Sequence, residues 1–295
     1  MSLKVLVTGA AGFLGQNVVR MLADDGFEVT GFDQRPVAGP GRSIVGDLLD
    51  TASVEAAVEG QDVVCHIGAI GDVYLAAKDP SLAAAVNVTG SSNVAQAAGK
   101  AGTRVVYAST WEVYGPPQYE PVDEDHPCNP DHPYNITKLA GERMLLAAGH
   151  LHGIPVVALR LGTAYGVGLR PNSVFRLFID KARRREPITI LGDGSQSRQF
   201  THAADIARAF ALACRSDIVG VTLNTVAEET VSIKQLAEAV IARYPTELSF
   251  GPARPGDVAP ALISSKRIES LLGWRAEIGF DSGIQELLDA PPDPA

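Results

Sequence analysis

The stretch Thr8-Gly9-Ala10-Ala11-Gly12-Phe13-Leu14-Gly15 constrains this chain more than any other. An apolar run of the kind a buried strand needs, Val5-Leu6-Val7, precedes it. The stretch opens an amphipathic segment in which Phe13, Leu14, Val18, Val19, Met21 and Leu22 recur in helical register. A strand, a glycine turn and a helix N-terminus together make a phosphate site, because the helix end offers unpaired N–H groups and the positive end of its dipole. Gly9, Gly12 and Gly15 let the backbone turn tightly and approach a pyrophosphate. About twenty residues past the last glycine, a second apolar strand ends at Asp33, an acid able to accept from ribose hydroxyls. A glycine-rich turn alone also fits an ordinary surface turn; strand, helix and acid in this order favour a dinucleotide.

The rest of the first half repeats the strand-helix alternation. A short strand ends at Gly46-Asp47, where Asp47 can meet an adenine, and a helix spans about Thr51 to Val58. A fourth strand, Val63 to Ile67, runs into Gly68-Ala69, small residues that let a ligand lie close. A helix from about Pro80 to Gly99 contains Asn87; strands follow at Arg104 to Ala108 and Val156 to Leu161, with a helix from Tyr134 between them. Such alternation predicts an α/β, Rossmann-type, doubly wound parallel sheet with right-handed crossovers and ligands beyond the strands' carboxyl ends. The last third mixes helices, short strands and Gly/Pro loops, and is expected to form a smaller C-terminal lobe that closes over that edge. The expected division gives residues 1–165, joined again by 200–225, to the dinucleotide domain, and 166–199 with 226–295 to the substrate lobe. The tail from Pro291 is expected to be disordered.

The 295 residues, 46% of them hydrophobic, suffice for a sizeable core. A net charge of −9 argues against nucleic acid or anionic membrane as partner. Three cysteines, Cys65, Cys128 and Cys214, cannot all pair, show no metal-ligand spacing, and suggest a reduced, cytoplasmic enzyme. With the first strand starting beside Met1, no secretory leader is expected, and no apolar run approaches a membrane span.

Tyr134 and Lys138 stand four apart at a helix start, which places them on one face. A neighbouring ammonium stabilises a phenolate, so such a tyrosine can act as a base. The spacing also fits an ordinary amphipathic pair. Thr110, at a strand's end, can bond the same substrate hydroxyl or merely cap a loop. His66 is expected to pack near the cofactor and His202 to be structural, while His126, His132, His150 and His152 are expected to be solvated.

Taken in order, these residues resemble the extended short-chain dehydrogenase/reductases, within the NAD-dependent nucleotide-sugar epimerase/dehydratase group. The likeness runs through the glycine loop, Asp33, Asp47, Asn87-Val88-Thr89-Gly90, Ser109-Thr110, Val113-Tyr114-Gly115 and Tyr134-x-x-x-Lys138. It continues through Leu159-Arg160, Tyr165-Gly166, Gly192-Asp193-Gly194, Arg198 to His202, Asp205-Ile206-Ala207, Arg254 to Asp257 and Leu272-Gly273-Trp274.

The resemblance implies NAD held by Gly9, Gly12, Phe13, Leu14, Gly15, Asp33, Asp47, Leu48, Ile67, Gly68, Ala69, Asn87, Ala108, Tyr134 and Lys138. It implies a nucleotide-sugar substrate met by Thr110, Trp111, Glu112, Thr163, Arg198 and Arg254, the two arginines gripping a diphosphate or, failing that, making surface salt bridges. Tyr134 would be the base, Lys138 its tuner, and Thr110 the group that orients the hydroxyl. A homodimer through helices near 80–100 and 135–150 is also implied. Many relatives carry asparagine where Thr163 stands, and sugar 4,6-dehydratases carry an Asp-Glu pair where Trp111-Glu112 stands, which disfavours dehydration. The expected activity is NAD-dependent epimerisation at C4 through a 4-keto sugar. The alternatives are a nucleotide-uronate decarboxylase, sharing Thr-x-Glu, an NAD-dependent sugar dehydrogenase, and a non-catalytic dinucleotide sensor.

Overall fold

The computed structural model describes residues 2–252 and 261–291, so the tail beyond residue 291 lies outside the described residues. Its first half runs β1 (Lys4–Thr8), α1 (Phe13–Asp24), β2 (Glu28–Asp33), β3 (Arg42–Val45), α2 (Thr51–Val58), β4 (Val63–His66), α3 (Val73–Lys78), α4 (Pro80–Ala84), α5 (Gly90–Ala101), β5 (Arg104–Thr110), α6 (Pro133–His152) and β6 (Val156–Leu161). There follow β7 (Thr163–Tyr165), α7 (Val174–Arg183), β8 (Ile188–Leu191), β9 (Ser197–Arg198), β10 (Phe200–His202), α8 (Ala203–Arg215), β11 (Val221–Thr225), β12 (Val231–Ser232), α9 (Ile233–Arg243), β13 (Leu248–Gly251), α10 (Lys266–Leu272) and α11 (Phe280–Asp289).

Seven parallel strands form one sheet in the order β11-β6-β5-β4-β1-β2-β3, the Rossmann arrangement expected from the alternation. Side chains alternate across it. Val5 and Val7 of β1 face a core shared with Val18, Leu22, Ile206, Phe210 and Trp274, whereas Leu6 faces Val94, Leu145 and the α2 side chains Val54 and Val58. Both faces are thus covered by helices, as an apolar parallel strand requires. A third core is built from Tyr165, Phe175, Phe178, Phe200, Leu236 and Phe280. Tyr165 stacks on Phe175 with centroids 5.1 Å apart. Asp205, on α8, accepts from the backbone N–H groups of Glu277 and Ile278, and its carbonyl from the Trp274 indole, so the carboxyl-terminal segment is tied to that helix.

The helix expected from Pro80 to Gly99 is interrupted: a π-helical turn, Ala85–Thr89, joins α4 to α5. The buried Asn87 lies in that turn and spends its side-chain amide on the backbone of Ile70 (2.7 and 3.2 Å) and on Thr137 Oγ1 (2.9 Å). The strand expected to stop at Ala108 continues to Thr110. His126 is buried rather than solvated: its Nε2 accepts from Gln118 N and its Nδ1 bonds to the Pro127 carbonyl, because the loop folds back over Tyr114. His132 caps α6 by accepting from Tyr134 N, with Pro133 at the first helical position, where its missing N–H costs nothing. Cys65 and Cys214, far apart in sequence, bring their sulfurs to 3.4 Å as free thiols in the core.

Candidate active site

Tertiary packing, more than flexibility, demands glycine in the loop after β1. Gly9 has φ +69°, and a Cβ there would lie 2.6 Å from Gly68 Cα. A Cβ on Gly15 would lie 2.1 Å from the Gly9 carbonyl oxygen. Gly12 stands at the N-cap of α1, and no side chain caps that first turn. Thr8 ties the loop to β4: its Oγ1 accepts from the N–H groups of Ile67 and Gly68 and meets His66 Nδ1 at 2.7 Å. His66 Nε2 bonds Ser91 (3.0 Å), and burial, with the Lys138 charge adding, pulls this imidazole down to about 3. His66 is therefore a neutral bracket beneath the loop.

A cleft of about 850 Å³ opens over the carboxyl ends of the strands. Gly9, Gly12, Phe13, Leu14 and Gly15 line it, with Ile67, Gly68 and Ala69 facing them from the end of β4. Asp33, Asp47 and Leu48 form one wall. The Asp33 carboxylate accepts from Ala11 N (3.0 Å) and Arg35 N (3.1 Å), and Asp47 from Gln34 Nε2 (3.0 Å) and Leu49 N (2.9 Å), so both acids are held in place. Ala108, Thr110, Tyr134 and Lys138 form another wall. The ends of β2 and β5 are three strands apart, about 14 Å at ordinary strand spacing, a separation a dinucleotide can bridge. The uncapped helix start, the crowded glycines and the fixed acid make the cleft a fit for such a group.

Asn87 does not line this cleft; it braces the Ile70 loop that does. Trp111 and Arg198 line a separate small hollow with Gln199, Val226 and Ile263. Trp111 packs with Tyr114, Val122, Val226 and Ile263. Glu112 is linked to both places. Burial pushes its carboxyl up to about 7 against the pull of Arg198, with Asp131 adding to the rise, and its charge acts on Tyr134. Thr163 pairs with Phe200 across β7 and β10 and leaves the lining to Gly162 and Ala164. Arg254 lies outside the described residues.

The phenol of Tyr134 is raised above its ordinary value by burial and then by Glu112, while Arg170 and the Thr110 hydroxyl draw it back. The expected lowering by Lys138 is not among these influences. The Lys138 ammonium lies 4.3 Å from the Tyr107 ring centroid, and burial brings it down to about 7 against the pull of Glu142. The sequence reading assigns no role to three charged groups here. Arg170 lines the cleft, and its only sequence signal is a lone arginine in a Gly/Pro loop. Glu142 carries no local signal, and Arg160 enters only as part of the Leu159-Arg160 match. Among the described residues no group of His, Cys, Asp and Glu has the clustering to hold a metal ion, and no helix is long and apolar enough to cross a membrane.

The model of the NAD-dependent epimerase/dehydratase family matches residues 5–224. A putative UDP-glucose 4-epimerase of Methanocaldococcus jannaschii is 31% identical over 301 residues, covering 97% of each chain. Among solved structures, MoeE5 in complex with UDP-glucose and NAD has 33% identity and a TM-score of 0.90, covering 97% of each chain. The UDP-glucose 4-epimerase of Thermus thermophilus, in complex with NAD, has 30% identity and a TM-score of 0.89, covering 97% of this chain and 98% of that one. A glycine cleft of this build, matched over nearly the whole chain, identifies the protein as a member of the NAD-dependent nucleotide-sugar epimerase/dehydratase family, an enzyme of the extended short-chain dehydrogenase/reductase class.

Proposed function

We propose that this enzyme inverts the C4 configuration of a nucleotide-diphosphate hexose. The observation that carries the reading is the meeting of Thr110, Tyr134 and Lys138 on one wall of the glycine-loop cleft. Bound NAD would supply the hydride acceptor and donor, held along the glycine loop and Asp33 and reached at its nicotinamide ribose by Lys138. Tyr134 takes the proton of the C4 hydroxyl, and Thr110 orients that hydroxyl. After the keto sugar turns over, Tyr134 gives the proton back on the other face. Arg198 and Arg254 grip the diphosphate, and Trp111 with Glu112 flanks the sugar, whereas Thr163, held in the β7–β10 pairing, stays behind the lining. Residues 166–199 and 226–295 form the substrate lobe. The enzyme works as a cytoplasmic homodimer through the helices near 80–100 and 135–150, and Ile136 and Met144, exposed on α6, suit such a contact.

Elimination of water needs an acid beside the threonine, and Trp111 packed among apolar side chains provides none. A second reading, decarboxylation of a nucleotide-uronate, is favoured by the nearness of Glu112 to Tyr134. Incubation with UDP-glucose, dTDP-glucose and UDP-glucuronic acid, followed by NMR and mass spectrometry, tests these readings. The expected product keeps the substrate's mass and differs at C4. Loss of carbon dioxide would establish the decarboxylase, and stoichiometric NADH a dehydrogenase. Tyr134→Phe should keep its fold and NAD but lose turnover by about 10²-fold or more. Absence of any turnover in the parent would favour a sensor.

A further inference from the structure

Directly behind the cleft wall lies a charged pair for which the reaction proposed above has no use. Glu142 stands one helical turn beyond Lys138 on α6, hence on the same face. It is fully buried. Its carboxylate accepts from Arg160 at two points (2.7 and 3.1 Å) and from Ser109 Oγ at 2.6 Å. Arg160, on β6, is 2% exposed, and its guanidinium lies 4.8 Å from the Tyr114 ring centroid. Tyr114 OH in turn donates to Asn224 Oδ1 (2.7 Å).

Burying two charges costs desolvation that their attraction often fails to recover, so stability alone is a weak reason to keep such a pair. Its placement suggests another. Ser109 is the neighbour of Thr110 on β5, so the bond from Ser109 to Glu142 locks the strand end that carries Thr110 onto α6, which carries Tyr134 and Lys138. The other groups facing Lys138 carry no counter-charge. Tyr107 of β5 presents its ring and bonds the Lys138 carbonyl at 3.3 Å, and both it and Tyr134 are neutral phenols. His66 of β4 is neutral. Glu142 supplies the one favourable charge acting on the ammonium among the described residues.

We propose that Glu142, clamped by Ser109 and Arg160, is a positioning residue that supplies the counter-charge to the buried Lys138 and fixes Thr110 relative to Tyr134. The function claimed for Lys138 and Thr110 rests on the reading given above; the charge relation between Glu142 and Lys138 does not. A purely structural pair would leave the lysine's titration unchanged.

The test is a titration of the NAD-loaded enzyme carrying ¹³Cε-labelled lysine, with the Lys138 signal assigned by its loss in Lys138→Met. In Glu142→Gln the side chain keeps its shape and loses its charge, and the Lys138 midpoint should fall by about one pH unit or more. Because Glu142→Gln leaves Arg160 uncompensated, the double variant Glu142→Gln/Arg160→Met is measured too; it removes both charges and should show a fall in the same direction but smaller. Turnover in both variants should then drop at a lower pH on the alkaline side than in the parent. A Lys138 midpoint that does not move in either variant overturns the proposal, whatever becomes of turnover. A fallen midpoint in an enzyme whose Lys138→Met variant stays active would support the charge relation and overturn the reading of Lys138.

Discussion

Lys138 Nζ stands 4.3 Å from the centre of the Tyr107 ring. An aromatic face attracts a cation, and more so where water is excluded. Here that attraction and the Glu142 carboxylate offset only part of the desolvation, since the ammonium is still brought from 10.5 down to about 7. Lys138 is therefore held close to the point of losing its proton at neutral pH.

One consequence is that Lys138 costs stability where it is charged. Between about 7 and 10.5 the unfolded chain binds the proton that the folded chain has shed, so stability contributed by this group rises with pH across that window and is lowest below it. Lys138→Met should therefore melt higher than the parent near neutral pH, with the difference shrinking as pH climbs toward the ordinary lysine value. Calorimetric melting across this range checks the trend. A variant that melts lower than the parent at every pH would contradict it.

Glu112 carries the opposite sign. Its carboxyl is raised from 4.5 to about 7, chiefly by burial, so the folded chain holds a proton that the unfolded chain has lost, and stability falls as pH rises through about 7. Glu112→Gln, neutral at every pH, should melt higher than the parent above this window and equal to it below 4.5. It also removes the charge that raises the Tyr134 phenol, so the pH at which Tyr134 begins to serve as base should move down. Paired melting curves and pH–rate profiles measure both effects; equal melting on the alkaline side would contradict the account.

Cofactor choice follows from Asp33. Its carboxylate is fixed by two backbone N–H groups and faces the cleft, where a 2′-phosphate would be repelled. Arg35 lines the cleft beside it, its guanidinium donating to the Ala11 carbonyl at 3.2 Å and lying 3.9 Å from the Asp33 carboxylate, which occupies it. Calorimetry should find NAD bound more tightly than NADP, and Asp33→Asn should narrow the gap. Tighter binding of NADP by the parent would contradict this.

The dinucleotide cleft was legible because its signals are local. Glycines at set spacing, an apolar run before them and an acid after the second strand all follow from neighbours in the chain. Features made by packing left no such trace. Asn87 reads as one polar residue in a helix, and only the folded chain reveals the π turn that aims it at Ile70. Glu142 and Arg160 are separated by a helix end, a turn and a strand, and their pairing depends on α6 crossing β6. His126 looked solvated because its loop is polar, yet the loop folds back and buries it between Tyr114 and Tyr119.

The central claim is that hydride leaves C4 and returns to C4. UDP-glucose deuterated at C4 gives the most direct test. The account predicts a product of unchanged mass, inverted at C4, with the deuterium still on that carbon and none in free NADH or solvent. Deuterium found on another carbon of the sugar, or released as deuterated NADH, would contradict it.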